Sequence, residues 1–138
     1  MKRTKAVFMG LFLSTTCMAQ NEVSWTYTAK KVDEKSYELH ITAKVKTGWH
    51  IYSTKQPEDA IVIPTIIKFN ANPLIKLAGI VKEVGSMKKV KEPTLGTVSN
   101  QYADNVDFVQ TVTMNAKKGV TIKTNVTGKL TYQICTDE

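Results

Sequence analysis

An all-β, antiparallel sandwich is the fold class this sequence predicts, and three observations predict it. Ser36–Lys46 sets Tyr37, Leu39, Ile41, Ala43 and Val45 against Glu38, His40, Thr42, Lys44 and Lys46. Such alternation marks a strand with one buried and one wet face. Turn-forming residues recur roughly every ten positions, the spacing of short strands in a sandwich. No stretch sustains the period of a helix.

A chain of 138 residues points to one domain. Residues 1–19 have the layout of a signal peptide, which leaves the domain at 20–138. Lys2, Arg3 and Lys5 form a charged end, and Ala6–Leu13 is an apolar run too short to span a bilayer. Cys17-Met18-Ala19 offers small residues at both positions that determine cleavage, so cleavage is expected after Ala19 or one residue later. The alternative is a lipoprotein anchored through Cys17. That motif wants Leu three residues earlier and a small residue just before the cysteine, where Ser14 and Thr16 stand.

Export changes the arithmetic. Three of the 19 basic residues leave with the signal, so 16 face 12 acids and the net charge falls from +7 to +4. That is ordinary for a soluble domain. No arginine follows Arg3 and the lysines read as scattered, which argues against a nucleic-acid surface. Cys17 leaves as well, and Cys135 stands alone. An odd cysteine in an exported chain points to a reactive thiol or to a partner outside this sequence.

In order, Val23–Lys30 is a first strand, with Val23, Trp25 and Tyr27 alternating against Ser24, Thr26 and Thr28. After a polar turn, Ser36–Lys46 is the second, closed by Thr47-Gly48. Trp49–Ser53 is the third and enters a loop through Gln56-Pro57-Glu58-Asp59. Ile61–Pro64 and Ile66–Phe69 are short apolar pieces, with Pro64 marking an edge or bend. Leu74–Val84 reads as a strand kinked at Gly79, and Lys88–Thr97 as a lysine-rich loop. A strand around Asp107–Met114 follows, then a turn at Ala116–Gly119 and a strand over Val120–Thr127. Gly128-Lys129 turns the chain into a closing strand. Leu39, Ile41, Trp49, Val112, Ile122, Leu130 and Tyr132 are the expected core.

The closing strand carries the chemistry. Leu130, Tyr132 and Ile134 fall on the core side, and Thr131, Gln133 and Cys135 on the other. A packing cysteine belongs with the buried small hydrophobes, and this one is phased away from them. Thr136-Asp137-Glu138 suits a turn.

This Gly-x-Leu-x-Tyr-Gln-x-Cys strand and its Thr-Asp-Glu turn, together with Gly48-Trp49-His50-Ile51-Tyr52-Ser53, resemble the N-terminal periplasmic domain of the thiol:disulfide interchange protein DsbD. The resemblance implies an immunoglobulin-like sandwich in the periplasm, working without a cofactor. It implies that reducing equivalents pass to thioredoxin-fold proteins of the cell envelope through Cys135 and a second cysteine beyond residue 138. Transmembrane and thioredoxin-like domains of the same full-length protein are further partners it implies. By position, His50 and Tyr52 would lie beside Cys135, with Trp49 and Ile51 toward the core. A cap loop would fall at Val90–Gly96, where Glu92 and Gly96 fit the family outline. The family's shielding aromatic is missing, and Leu95 stands as the nearest substitute.

Other chemistries find little support. His40 and His50 with one cysteine have no metal-ligand spacing. Asn125-Val126-Thr127 matches a glycosylation sequon but reads as a strand-to-turn segment. No phosphate loop, carboxylate pair or Ser/His/Asp order is present. A hydrolytic Cys135 would need a base, a cation or a helix N-terminus beside it; Asp137 and Glu138 instead favour the neutral thiol. Disulfide exchange needs no strongly acidified thiol here, because the other partner can supply the activated one. The competing class is a secreted, non-catalytic sandwich for binding or adhesion, with Cys135 incidental. Either way a monomer is expected.

Overall fold

The computed structural model describes residues 22–91, 93–94, 96–117 and 119–136. The expected signal peptide with Cys17, the cap candidates Glu92 and Leu95, and the Asp137-Glu138 turn lie outside them. The described residues form ten strands and no helix: β1 (Val23–Lys31), β2 (Ser36–Val45), β3 (Trp49–Tyr52), β4 (Ile66–Phe69), β5 (Ile75–Gly85), β6 (Lys88–Lys91), β7 (Val98–Tyr102), β8 (Val106–Met114), β9 (Gly128–Thr131) and β10 (Ile134–Thr136). A first sheet has the order β1-β2-β8-β5, a second β10-β3-β7-β6, and β4 and β9 pair as a small third. Every pairing is antiparallel. This is the all-β sandwich that the alternation predicts.

The first sheet follows the sequence pattern closely. β1 and β2 pair from Val23↔Val45 to Lys31↔Tyr37. Their turn is held by Asp33, whose Oδ1 accepts from the Lys35 amide at 2.8 Å and the Ser36 amide at 2.7 Å. These donors keep the Asp33 carboxyl below its ordinary value. Ile41, Ala43 and Val45 of β2 point inward with Val106 and Phe108 of β8. Ile51 and Tyr102 of the second sheet complete the interior, and Trp25, Trp49, Leu130 and Ile134 pack against it. On the opposite face of β2 and β8, His40 Nδ1 and Asp107 Oδ2 lie 2.6 Å apart, and Thr42 Oγ1 donates to Asp107 Oδ1 at 3.0 Å.

The kink in β5 is a register shift between Ala78 and Lys82, with Gly79 at φ 70°. A positive φ there suits glycine, which has no Cβ to clash.

Four expectations need correction. Lys88–Thr97 is not all loop, since its first four residues form β6 on the free edge of the second sheet, paired to β7. Lysines are tolerated there because an edge strand is wet on its outer side. Ile61–Pro64, by contrast, keeps to the reading of a bend: it carries no strand, and the chain bends at Val62. Val120–Thr127 carries no strand; Asn70 and Asn72 side chains hold it through Thr127 Oγ1, Thr124 Oγ1 and the Asn125 carbonyl. Ile122 is accordingly only half-buried. The closing strand starts earlier than expected, with Gly128 and Lys129 in β9, and breaks at Tyr132-Gln133. β9 pairs β4, while β10 pairs β3. Leu130 and Ile134 still meet the core across the break, but Tyr132, expected there, is 39% exposed because it stands in the break itself, and it sets its ring 5.1 Å from that of Trp25.

Candidate functional site

Cys135 stands in β10, half-buried and without a disulfide. Its register partner is His50 of β3. Residues directly opposite in an antiparallel pair share a face, with Cβ atoms about 4.5–5.5 Å apart. Two residues on, Tyr52 shares that face. The His50 and Tyr52 rings meet edge to face at 5.1 Å, and His50 Nε2 lies 3.2 Å from the Tyr52 hydroxyl.

The face continues across the sheet. Tyr52 is opposite Gln101 of β7, and Gln101 is opposite Lys88 of β6. Ser99, two residues before Gln101, is opposite Val90. His50, Tyr52, Ser99 and Gln101 are all buried. The second sheet therefore carries a buried polar layer on the side away from Ile51 and Tyr102. Burying polar groups is costly unless they find partners. Even so, Gln101 Oε1 and Thr97 Oγ1 are buried with no hydrogen bond among the described residues.

The segment between β3 and β4 is pinned to this region at several points. Thr65 Oγ1 donates to the Tyr52 carbonyl at 2.6 Å. The Ile63 amide donates to Gln133 Oε1 at 2.7 Å, so the glutamine two residues before Cys135 ties the segment to the break between β9 and β10. Gln56 clasps Asn100 of β7 through both its amide atoms. Ile61 and Ile63 remain exposed nearby, at 65% and 53%.

Beneath the segment, Glu83 of β5 joins the two sheets. Its carboxylate accepts from Ser53 Oγ at 2.7 Å, the Thr54 amide at 2.6 Å and the Tyr102 hydroxyl at 2.7 Å. Burial raises the Glu83 carboxyl, but these donors outweigh it and leave it below its ordinary value. Burial and the same carboxylate push the Tyr102 phenol up. The ends of β3 and β7 are thereby fixed relative to β5.

The structure thus brings together Cys135, His50 and Tyr52 of the residues the sequence singled out. Glu92 and Leu95 lie outside the described residues. Sequence reasoning missed Ser99, Gln101 and Glu83. Val98-Ser99-Asn100-Gln101 has little strand preference, and a carboxylate inside a sheet is not signalled by alternation. A cavity of about 620 Å³ runs between β1–β2 and β4–β9 and is lined by none of these groups. No set of three or more His, Cys, Asp or Glu among the described residues is placed to hold a metal.

A half-buried thiol in an edge strand, on the face of a buried polar layer, suits reaction with a protein partner. The family model described as thiol:disulfide interchange protein DsbD, N-terminal, matches residues 15–138. The chain belongs to the DsbD N-terminal domain family. Neither the curated proteins nor the solved structures yield a match to it. The DsbD N-terminal domain is an immunoglobulin-like fold of the periplasm, in keeping with the antiparallel sheets here. Among the described residues no helix is long and apolar enough to cross a membrane.

Proposed function

We propose that this domain exchanges thiols and disulfides with thioredoxin-fold proteins of the cell envelope, and that Cys135 is the reacting residue. The observation that carries the reading is the register of Cys135 with His50, on the polar rather than the core face of the sheet. A packing cysteine has no reason to sit there. Membership in an interchange family supplies the reaction class. The second half of the redox pair is expected past residue 138, after a short turn that would bring it within the separation a disulfide spans. Export by cleavage after Ala19 would place the domain among its partners.

In the forward step the Cys135 thiolate attacks one sulfur of a partner disulfide. A new S–S bond forms, the partner's S–S bond breaks, and the released partner thiolate takes up the proton that Cys135 gave up. Exposed Ile61 and Ile63, on the segment tied to Gln133, give the partner an apolar contact. His50 and Tyr52 line the floor. The test uses a thioredoxin-fold partner reduced to one active-site cysteine, blocked as its thionitrobenzoate disulfide. The folded protein should displace coloured thionitrobenzoate and accumulate a mixed disulfide, and Cys135→Ser should do neither. If the colour appears only after denaturant is added, Cys135 is a packing residue. The domain is then better read as a secreted binding or adhesion module.

A further inference from the structure

The sheet that holds Cys135 at one edge ends at its other edge in β6, Lys88-Lys89-Val90-Lys91. All three lysines are exposed. Among the described residues none of them meets a carboxylate; Lys46 with Glu22 is the lysine ion pair there. Three lysines of the segment that the sequence marks as lysine-rich thus stand along one edge. β7 contributes no charge beneath them, since its residues are Val98, Ser99, Asn100, Gln101 and Tyr102. Asn100, opposite Lys89, donates its side-chain amide to the Lys55 carbonyl at 2.7 Å, which brings the Lys55 backbone to the same edge.

Distance decides what this edge can do. β10 and β6 are three strand spacings apart, or about 14 Å at 4.7–4.9 Å each. A protein partner covering roughly 800 Å² of this domain and reaching Cys135 extends over β6 as well. Lys88 projects on the same face as Cys135, through the chain of register partners Gln101, Tyr52 and His50, whereas Lys89 and Lys91 alternate to the other face and act from the edge through their charge alone.

We infer that β6 is an electrostatic docking rail for the exchange partner, and that it selects partners with acidic residues about 14 Å from their reactive disulfide. The inference rests on the exchange reading and adds the partner's charge. Fixed charge near a reactive group raises the encounter rate with an oppositely charged partner and does so less as salt rises. At 0.1 M salt the screening length is about 10 Å, so the effect is strongest below that concentration.

The probes are two peptides, each with one cysteine blocked as its thionitrobenzoate disulfide, one neutral and one with a run of aspartates on one side of the cysteine. At about 20 mM salt the acidic peptide should react several-fold faster than the neutral one, and the lead should vanish near 0.5 M, where screening is nearly complete. The triple variant K88E/K89E/K91E should reverse the preference while leaving the neutral rate unchanged. That variant keeps the edge charged, so a mere guard against strand pairing is preserved in it. A control, K30E/K31E/K44E, makes the same change of net charge on β1 and β2 and should keep the acidic preference. Equal rates for the two peptides at low salt overturn the inference and leave exchange standing. So does a control variant that loses the preference as fully as the β6 variant, because the effect is then one of net charge. If neither peptide reacts with the folded protein, the exchange reading fails and the rail fails with it.

Discussion

The two large sheets treat their outer faces differently. In the first, Glu38, His40 and Thr42 alternate with inward residues and face out as an antiparallel sheet's polar side usually does. In the second, His50 and Ile51 are neighbours on opposite faces, and both are buried, at 3% and 0% exposure. Tyr52, Ser99 and Gln101 extend that buried polar layer. Packing alone favours apolar residues in such places, because each buried polar group must find a partner or lose its hydration. Departures from local consistency collect where a protein does its work. The first sheet reads as scaffold and the second as the surface on which chemistry is placed.

Substitutions can break this contrast. The largest effect is expected at the shared interior: Phe108→Ala should cost about 3–5 kcal/mol and Ile41→Ala about 2–5 kcal/mol in urea unfolding. The fraction that remains folded should react at Cys135 at the normal rate. A slowed reaction in the folded fraction would mean that scaffold and site are not separable.

Glu83 comes next, since it links the sheets. Glu83→Gln should cost about 1–3 kcal/mol by leaving donors imperfectly met. The sign of the pH effect follows from its carboxyl lying below the ordinary 4.5. Its contribution is full above that value and is lost as pH falls through it and then through the lower folded-state value. The stability gap between wild type and Glu83→Gln should therefore narrow on acidification. A gap that does not change with pH would show that the carboxylate charge is not what joins the sheets.

Tyr52→Phe sharpens the contrast further. Loss of one hydroxyl contact to His50 should cost about 0.5–1.5 kcal/mol, and alkylation of Cys135 should change in rate with it. An unchanged rate would make the polar layer structural only. The smallest effect belongs to the wet face of the first sheet, where Lys44→Ala should stay within about 0.5 kcal/mol.

The same contrast governs what the sequence makes legible. Phase is readable wherever one face is apolar and the other polar, so β1, β2 and β8 stand out, and so does the polar-face position of Cys135. β7 does not, because polar residues buried on a strand look like a loop. β6 does not, because its lysines are held as a strand by pairing to β7 rather than by their own preference. The break at Tyr132-Gln133 is hidden for another reason: alternation continues unbroken while the partner strand changes from β4 to β3. His50 and Tyr52 were legible through the family likeness, whereas the Glu83 junction depends on three donors distant in sequence.

Among the described residues β10 is three residues long and lies at the edge of its sheet. Its ladder to β3 is short, and short edge segments detach at free energies far below that of global unfolding. Access to the thiol is then a matter of time as well as of area. A sulfur half covered in the average structure would be presented whole each time the segment lifts. Amide hydrogens at Ile134–Thr136 should exchange much faster than those at Val106–Val112. The rate at which Cys135 reacts should rise and fall with theirs.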